Sequence, residues 1–318
     1  MAQITTRASV GTALASALDA VYNNRGTVLK PIYPRFLHEI EMKKGQYIDY
    51  DMAYFGRHVL KGEIEALTYD DIKFNVLRTT TADSYAIGYR ISREALDDLA
   101  DGGYGVDTGK IASLETITAK MRDSATQTME YLAAQPILSA NSTTASSIWV
   151  GAGRDGVALA GAHTLLRNGA GTFNNAMTAS SLSYQALQSG IALLETIPSD
   201  EGFYSGLPSK IQLIVGPYNR ARAYELTKTT KKPDTNDNNV SSLNDFDIEV
   251  IVNPNLGSTF KGFMLLDSSR HAIRFYMREK PVLEKEMDFE VKGMKFSSFF
   301  RAKVDFSSAF GAVWNAGL

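Results

Sequence analysis

From Tyr47 to Tyr54 the chain alternates between apolar and polar side chains, breaks into the charged stretch "GRHVLKGEIEALTYDD", and resumes alternating at Ile72, Phe74 and Val76. Two period-two runs around a polar connection predict a long hairpin. Its far end, Arg57 to Asp71, is too polar to bury and too long for a simple connection, so it is either disordered or a projecting element that meets a partner. A further alternating run, Tyr85, Ile87, Tyr89 and Ile91, closes the ribbon. In "AIGYRISREALDDL" the period then turns helical at Ser92, whose hydroxyl can accept from the free N–H groups of the next turn, and Glu94 falls where the helix dipole favours an anion. Past Gly102-Gly103 and Asp107, the residues Ile111, Leu114, Ile117, Met121, Ala125 and Leu132 recur at steps of three, four or seven, with no glycine or proline from Lys110 to Gln135. That pattern predicts a helix over about 107–135, roughly 40 Å long and far above the usual length.

Upstream of the ribbon, Val10, Leu14, Leu18 and Val21 make a weak amphipathic turn, Asn23-Asn24-Arg25-Gly26 reads as a turn, and Pro31 and Pro34 exclude regular structure, so residues 1–45 read as an arm laid over something else. Downstream, "NSTTASSIWVGAGRDG" is a loop of small residues, and Leu182 to Ile197 is amphipathic and stopped by Pro198. A buried strand at Ile211 to Val215, a helix at Tyr218 to Lys228 opened by Gly216-Pro217, a polar stretch from Thr229 to Asp245, and strands at Asp247 to Val252 and Gly262 to Asp267 follow. This order suggests a compact α/β subdomain inserted after the long helix. From Arg270 to Asp305 the chain returns to long alternating strands carrying nine basic and six acidic side chains, a charged extended surface.

Composition narrows the function classes. With 33 basic against 35 acidic residues there is no global attraction to nucleic acid or anionic membrane. The absence of cysteine removes disulfides, thiolate metal sites and cysteine nucleophiles together. The N-terminal apolar stretch Ala8 to Val21 is too polar for a signal peptide or a membrane span, so the chain is expected to be soluble and cytoplasmic. Gly151-Ala-Gly-Arg-Asp-Gly156 matches a dinucleotide-binding turn, but no ribose-binding acid follows at the needed distance in "AGTFNNAMTASS", and a flexible glycine loop is the simpler reading. Asp234, Asn236, Asn238 and Asp245 fit four places of a calcium loop, with Asn239 where glycine is usual and a strand rather than a helix expected next; a solvated loop accounts for them. His38, His58, His163 and His271 are isolated in sequence, no nucleophile elbow or phosphate loop occurs, and the adjacent pairs Asp70-Asp71 and Asp97-Asp98 diverge into solvent. Neither a cofactor nor a metal is expected.

The order of elements, with "Tyr-Pro-Arg-Phe-Leu" at 33–37, "TTTADSYAIGYRISREALDDL" at 79–99 and the terminal "RAKVDFSSAF", resembles the major capsid proteins of tailed bacteriophages. The resemblance implies an α+β Hong Kong 97-like capsid fold: an N-terminal arm (1–45), an extended-loop hairpin (46–91), a peripheral domain with a spine helix (92–179), an axial domain (180–265) and a return to the peripheral sheet (266–318). It implies a structural, non-enzymatic head protein that self-assembles into an icosahedral shell of hexamers and pentamers around double-stranded DNA in the virion, built in the host cytoplasm. The partners it implies are further copies of the chain, a portal protein, a decoration protein and, because only about forty residues precede the hairpin, a separate scaffolding protein; no membrane is involved. Tyr47, Tyr54, Phe55, Arg57, Lys61 and Phe74 are the expected inter-subunit residues. Some relatives crosslink lysine to asparagine, and Lys61 lies near the tip, but no motif carries that chemistry over. A phage or bacterial receptor-binding protein, or a hydrolase whose site only folding assembles, remain the rival classes.

Overall fold

The computed structural model describes residues 19, 21–23, 30–92, 94, 114–167, 171–204, 206–231, 240–288 and 293–318. Twelve strands and three α-helices are described, and the chain divides into two compact units. One comprises residues 1–31, 82–130 and 277–302, and the other residues 32–81, 131–276 and 303–318.

In the first unit, β4 (Asp83–Ser92) runs antiparallel to β11 (Gly293–Phe306), pairing Tyr89 with Phe296 and Tyr85 with Phe300. These cross-strand pairs stack at 4.8 and 5.1 Å between ring centroids, a contact that stabilises adjacent strands. Helix α1 (Leu114–Leu138) packs Met121 on this surface together with Tyr22, whose ring lies under Arg122 at 5.4 Å and whose hydroxyl bonds Ser298 Oγ at 2.5 Å. Tyr22, within the stretch expected to form an arm, thus inserts its ring against this sheet. The pairing of β4 also differs from the expectation: β4 leaves the ribbon and adds to β11, because its tyrosines meet phenylalanines there. Glu94 is helical, while the rest of the helix expected after Ser92, Gly102-Gly103, Asp107 and Asp97-Asp98 lie outside the described residues, as do Val10, Leu14 and Leu18. The described part of α1 runs past the expected end at 135, through Pro136, to Leu138.

In the second unit, β7 (Ile211–Val215) lies at the centre of a sheet ordered β12-β9-β7-β8, parallel to β8 (Ile248–Val252) and antiparallel to β9 (Phe263–Asp267), which pairs in turn with β12 (Ala312–Asn315). Helices α2 (Tyr184–Thr196) and α3 (Arg220–Lys228) contribute Leu187, Ile191, Leu194, Ala223 and Leu226 to one core with Ile211, Leu213, Val215, Phe263, Leu265 and Val313. Ser183 caps α2 by accepting from Ala186 N at 3.2 Å. On the sheet's other side Gln212 donates to Arg35 O at 2.6 Å, and Trp314 Nε1 donates to Ile137 O at 3.0 Å. With both faces covered, β7 and β9 are buried at every position, which explains why all their residues but Gln212 and Asp267 are apolar. The arm here is more regular than its prolines suggested: a 3-10 turn at Tyr33–Arg35 stacks Tyr33 on Phe275 at 4.6 Å, and the short strand β1 (His38–Glu41) lies beside β10 (Ile273–Asp288). A small hairpin, β5 (Ala162–Thr164) with β6 (Thr172–Asn174), was also not expected.

Candidate inter-subunit surface

Strands β2 (Gln46–Ala53) and β3 (Lys73–Thr81) pair with each other alone, as a two-stranded antiparallel ribbon with a register shift between Asp49 and Tyr50. Alternation sorts its side chains into two faces. Tyr47 tilts against Tyr276 at 5.1 Å and Asp49 pairs with Arg274 at 2.7 Å, so that face is used up within the subunit. Ile48, Tyr50 and Met52 alternate with them and are exposed, as are Tyr54, Ile72 and Phe74. Phe74 lies opposite Met52 and stacks on Tyr50 at 5.4 Å, forming an apolar face turned to solvent. At the ribbon's root, Arg78 donates to Asp305 at 3.1 Å and to Ala152 O at 2.5 Å, and Thr80 donates to Asp305 at 2.7 Å. Burial pushes the Asp305 carboxyl above its ordinary value, against the pull of Arg78 and Thr80.

The segment between the strands is a loop anchored at its base rather than an unbroken hairpin. Gly56 N donates to Asp70 Oδ2 at 2.9 Å, Arg167 bonds the same oxygen at 2.5 Å and Tyr54 O at 3.0 Å, and Tyr54 N donates to Glu201 at 3.1 Å. Asp70 is thereby held below the ordinary carboxylate value, first by the Gly56 N–H and then by Arg167, and is not the merely solvated acid expected from sequence. A Cβ at Gly56 would lie 2.9 Å from Arg167 Nη2, so a side chain there would push that guanidinium aside. Arg57 sits 5.8 Å over the Phe203 ring, and the loop, Arg167 and residues 201–203 border a cleft of about 760 Å³. The tip is less polar in effect than its charges suggested: Leu60 is 95%, Ile64 100% and Tyr69 89% exposed. Exposed apolar side chains in such number mark a surface that meets another protein.

Of the expected inter-subunit residues, Tyr54, Phe55 and Phe74 lie exposed on the ribbon or loop, Lys61 donates to Gly62 O at 3.3 Å, and Arg57 is engaged by Phe203. Tyr47 is directed to Tyr276 in its own unit. Ile48, Tyr50, Met52 and Ile72 were missed. The signal was available, because residues two apart share a strand face and the even-numbered run is the more apolar one.

The other candidates have structural roles. The glycine stretch 151–156 opens no helix, which excludes a dinucleotide turn, and it is pinned rather than flexible: Gly153 N donates to Val157 O at 2.6 Å, and Asp155 accepts from Val157 N at 3.1 Å and contacts His163 Nδ1 at 2.8 Å. His38 and His271, far apart in sequence, stack at 4.5 Å, and burial holds His271 down at about 4. Asp234, Asn236, Asn238 and Asn239 lie outside the described residues. Among the described residues no three His, Asp or Glu side chains converge as metal ligands, and no helix is long and apolar enough to cross a membrane.

A two-layer α/β unit, a sheet carried by a long helix and a ribbon with an apolar outer face define a structural protein built to contact its own kind. A family model described as phage capsid protein matches residues 76–315, and the chain belongs to that family. Its fold is similar to the mature capsid of bacteriophage PhiM1, with a TM-score of 0.57 and 13% identity over 92% of this chain and 89% of that one. It is likewise similar to the capsid of the cyanophage P-SCSP1u (0.57, 9% identity, 92% and 91% covered) and to Mycobacterium phage Bobi (0.55, 12% identity, 99% of both chains). No curated protein matches the sequence. The fold is the α+β Hong Kong 97-like capsid fold, and the chain is a structural, non-enzymatic major capsid protein that self-associates into the shell of a virion.

Proposed function

We propose that the chain assembles in the host cytoplasm, with a scaffolding protein and a portal protein, into an icosahedral shell of hexamers and pentamers enclosing double-stranded DNA, and that the ribbon of each subunit lies across a neighbour. The arm, the ribbon with its loop, the sheet and helix of 92–179 and 266–318, and the α/β layer of 180–265, which β12 from the C-terminal stretch completes, then act as arm, extended loop, peripheral domain and axial domain. The exposed apolar face of Ile48, Tyr50, Met52 and Phe74 supports this reading, because a two-stranded ribbon is marginal in water and its outer face gains only by meeting apolar surface elsewhere. Repeated at every subunit, even ~1–2 kcal/mol per ribbon multiplies across a shell. Replacing Arg57 to Asp71 by a tight turn tests it. Folded subunits that fail to yield stable particles in negative-stain images are expected; unfolded subunits, or particles of unchanged heat resistance, would refute the role given to the ribbon.

A further inference from the structure

In the first unit, one face of β10 and β11 carries cations that no carboxylate among the described residues neutralises. Arg278 and Lys280, two apart on β10, share that face. Ser297 Oγ meets Glu284 Oε2 at 3.4 Å across the two neighbouring strands, so Arg301, four residues further along β11, comes beside Lys280, four residues back along β10. Elsewhere in this unit lysines find acids: Lys295 pairs with Asp288 at 2.6 Å and Lys285 with Asp19 at 2.8 Å. Arg278 and Arg301 are half-buried instead, and Arg278 Nη1 and Arg301 Nε are enclosed with no acceptor. A charged donor in that state is destabilising until an oxygen reaches it. Glu279 falls on the opposite face by alternation, and the nearest acid on the same face of β10, Glu284, stands about 13 Å along the strand beyond exposed Val282.

We infer that Arg278, Lys280 and Arg301 form a contact for the phosphate backbone of nucleic acid. The patch has a single sign of charge, and its only apolar neighbours on that face are Val282 beside Lys280 and Phe299 beside Arg301, short of the cluster of anchors that chiefly holds a docked protein segment. It offers guanidinium forks suited to phosphate oxygens, so the contact is independent of sequence and sensitive to salt. On a chain of net charge −2 the attraction stays local, which suits contents that must be packed densely without being trapped. The inference rests on the DNA-enclosing shell for the source of the nucleic acid, but the contact itself belongs to the subunit.

The test titrates purified subunits into a fluorescein-labelled 20-base-pair duplex at several salt concentrations. The R278Q/K280Q/R301Q variant, its fold checked by circular dichroism, should bind at least tenfold more weakly at low salt and flatten the log–log salt slope by about 2–3, roughly 0.9 for each phosphate no longer neutralised. R278K/R301K should keep the wild-type slope, and K280Q alone, on an exposed side chain, should flatten it by about 0.9. Coinciding slopes for wild type and the triple variant overturn the inference. So does wild-type protein that prefers poly-glutamate to the duplex through the same three residues, since the patch then receives an acidic protein segment. Negative-stain particle counts are scored separately: shells formed by a triple variant with an unchanged salt slope sink this contact and leave the shell reading intact, whereas wild-type subunits that bind the duplex but never form shells do the reverse.

Discussion

Asp155 occupies a tight turn where its carboxylate meets Val157 N and His163 Nδ1, and the second ring nitrogen of His163 faces Leu159 O at 3.2 Å. Burial works to raise the acid, but His163 and the backbone N–H groups outweigh it and hold Asp155 below 3.8. An acid depressed by folding contributes stability that is complete above its unfolded value and is lost as pH falls through the folded one. Urea denaturation should therefore show D155N less stable than wild type by a constant amount above about pH 5, with the gap narrowing below about pH 4. Asp305 runs the other way. Burial raises its carboxyl, so removing Arg78 leaves a buried charge uncompensated and R78A should cost about 3–5 kcal/mol near pH 8. That cost should shrink at pH 5, because Asp305 escapes it by taking a proton; a penalty independent of pH would show that Arg78 matters only through packing. Gly151, at φ +73° with Thr143 O only 2.5 Å from where a Cβ would stand, cannot become alanine without moving the backbone, and G151A should lose about 2–4 kcal/mol in the same assay.

At the scale of elements, the ribbon and its loop hang on two sets of contacts, Arg78 and Thr80 at the root and Arg167 at the base of the loop. Arg167 ties Asp70 to Tyr54 O and is not a member of the helix–sheet core of the α/β unit, so R167A should leave the subunit's thermal transition within a few degrees of wild type. Limited proteolysis should nevertheless cut within 57–69 many times faster, and equal cutting rates would show that the loop holds itself. Helix α2 shows how legible an element can be: Ser183, the apolar spacing and Pro198 all lie within its own sequence, and the expected 182–197 came within two residues of the observed bounds at each end. The ribbon was legible for the same reason, since its period of two is local. Strand β1 was not, because "HEIE" has no apolar alternation and becomes a strand only by lying beside β10.

For the whole molecule, the expectation of no bound ion leads to a plain outcome. Chelator, or the D234N and D245N substitutions, should leave subunit folding and particle yield unchanged, and particles that dissolve on chelation would restore the calcium reading of Asp234, Asn236, Asn238 and Asp245. Much of the proposed contact surface was visible as a chain segment but not as a face. Tyr54, Phe55 and Phe74 could be chosen from sequence as aromatic residues of a ribbon that cannot bury itself, yet Tyr47, equally aromatic and on the same strand, turned inward to Tyr276. Which of a strand's two faces is spent on its own subunit depends on what lies beneath it, and here that is Tyr276 and Arg274, more than two hundred residues away.

By itself the sequence determined the order and period of the main elements: the ribbon, the long helix, α2, and the buried strands β7, β8 and β9 between polar loops. These are set by side chains within a few residues of one another, through hydrogen-bond geometry that repeats every two or 3.6 residues. Tertiary structure alone decided the partners. It took β4 from the ribbon to β11, stacked His38 on His271, set Asp305 under Arg78 and Thr80, fixed the loop base on Arg167, and left Arg278 Nη1 and Arg301 Nε without acceptors among the described residues. Each of these contacts joins residues far apart in the chain, and their energies depend on distance and burial that no local pattern encodes.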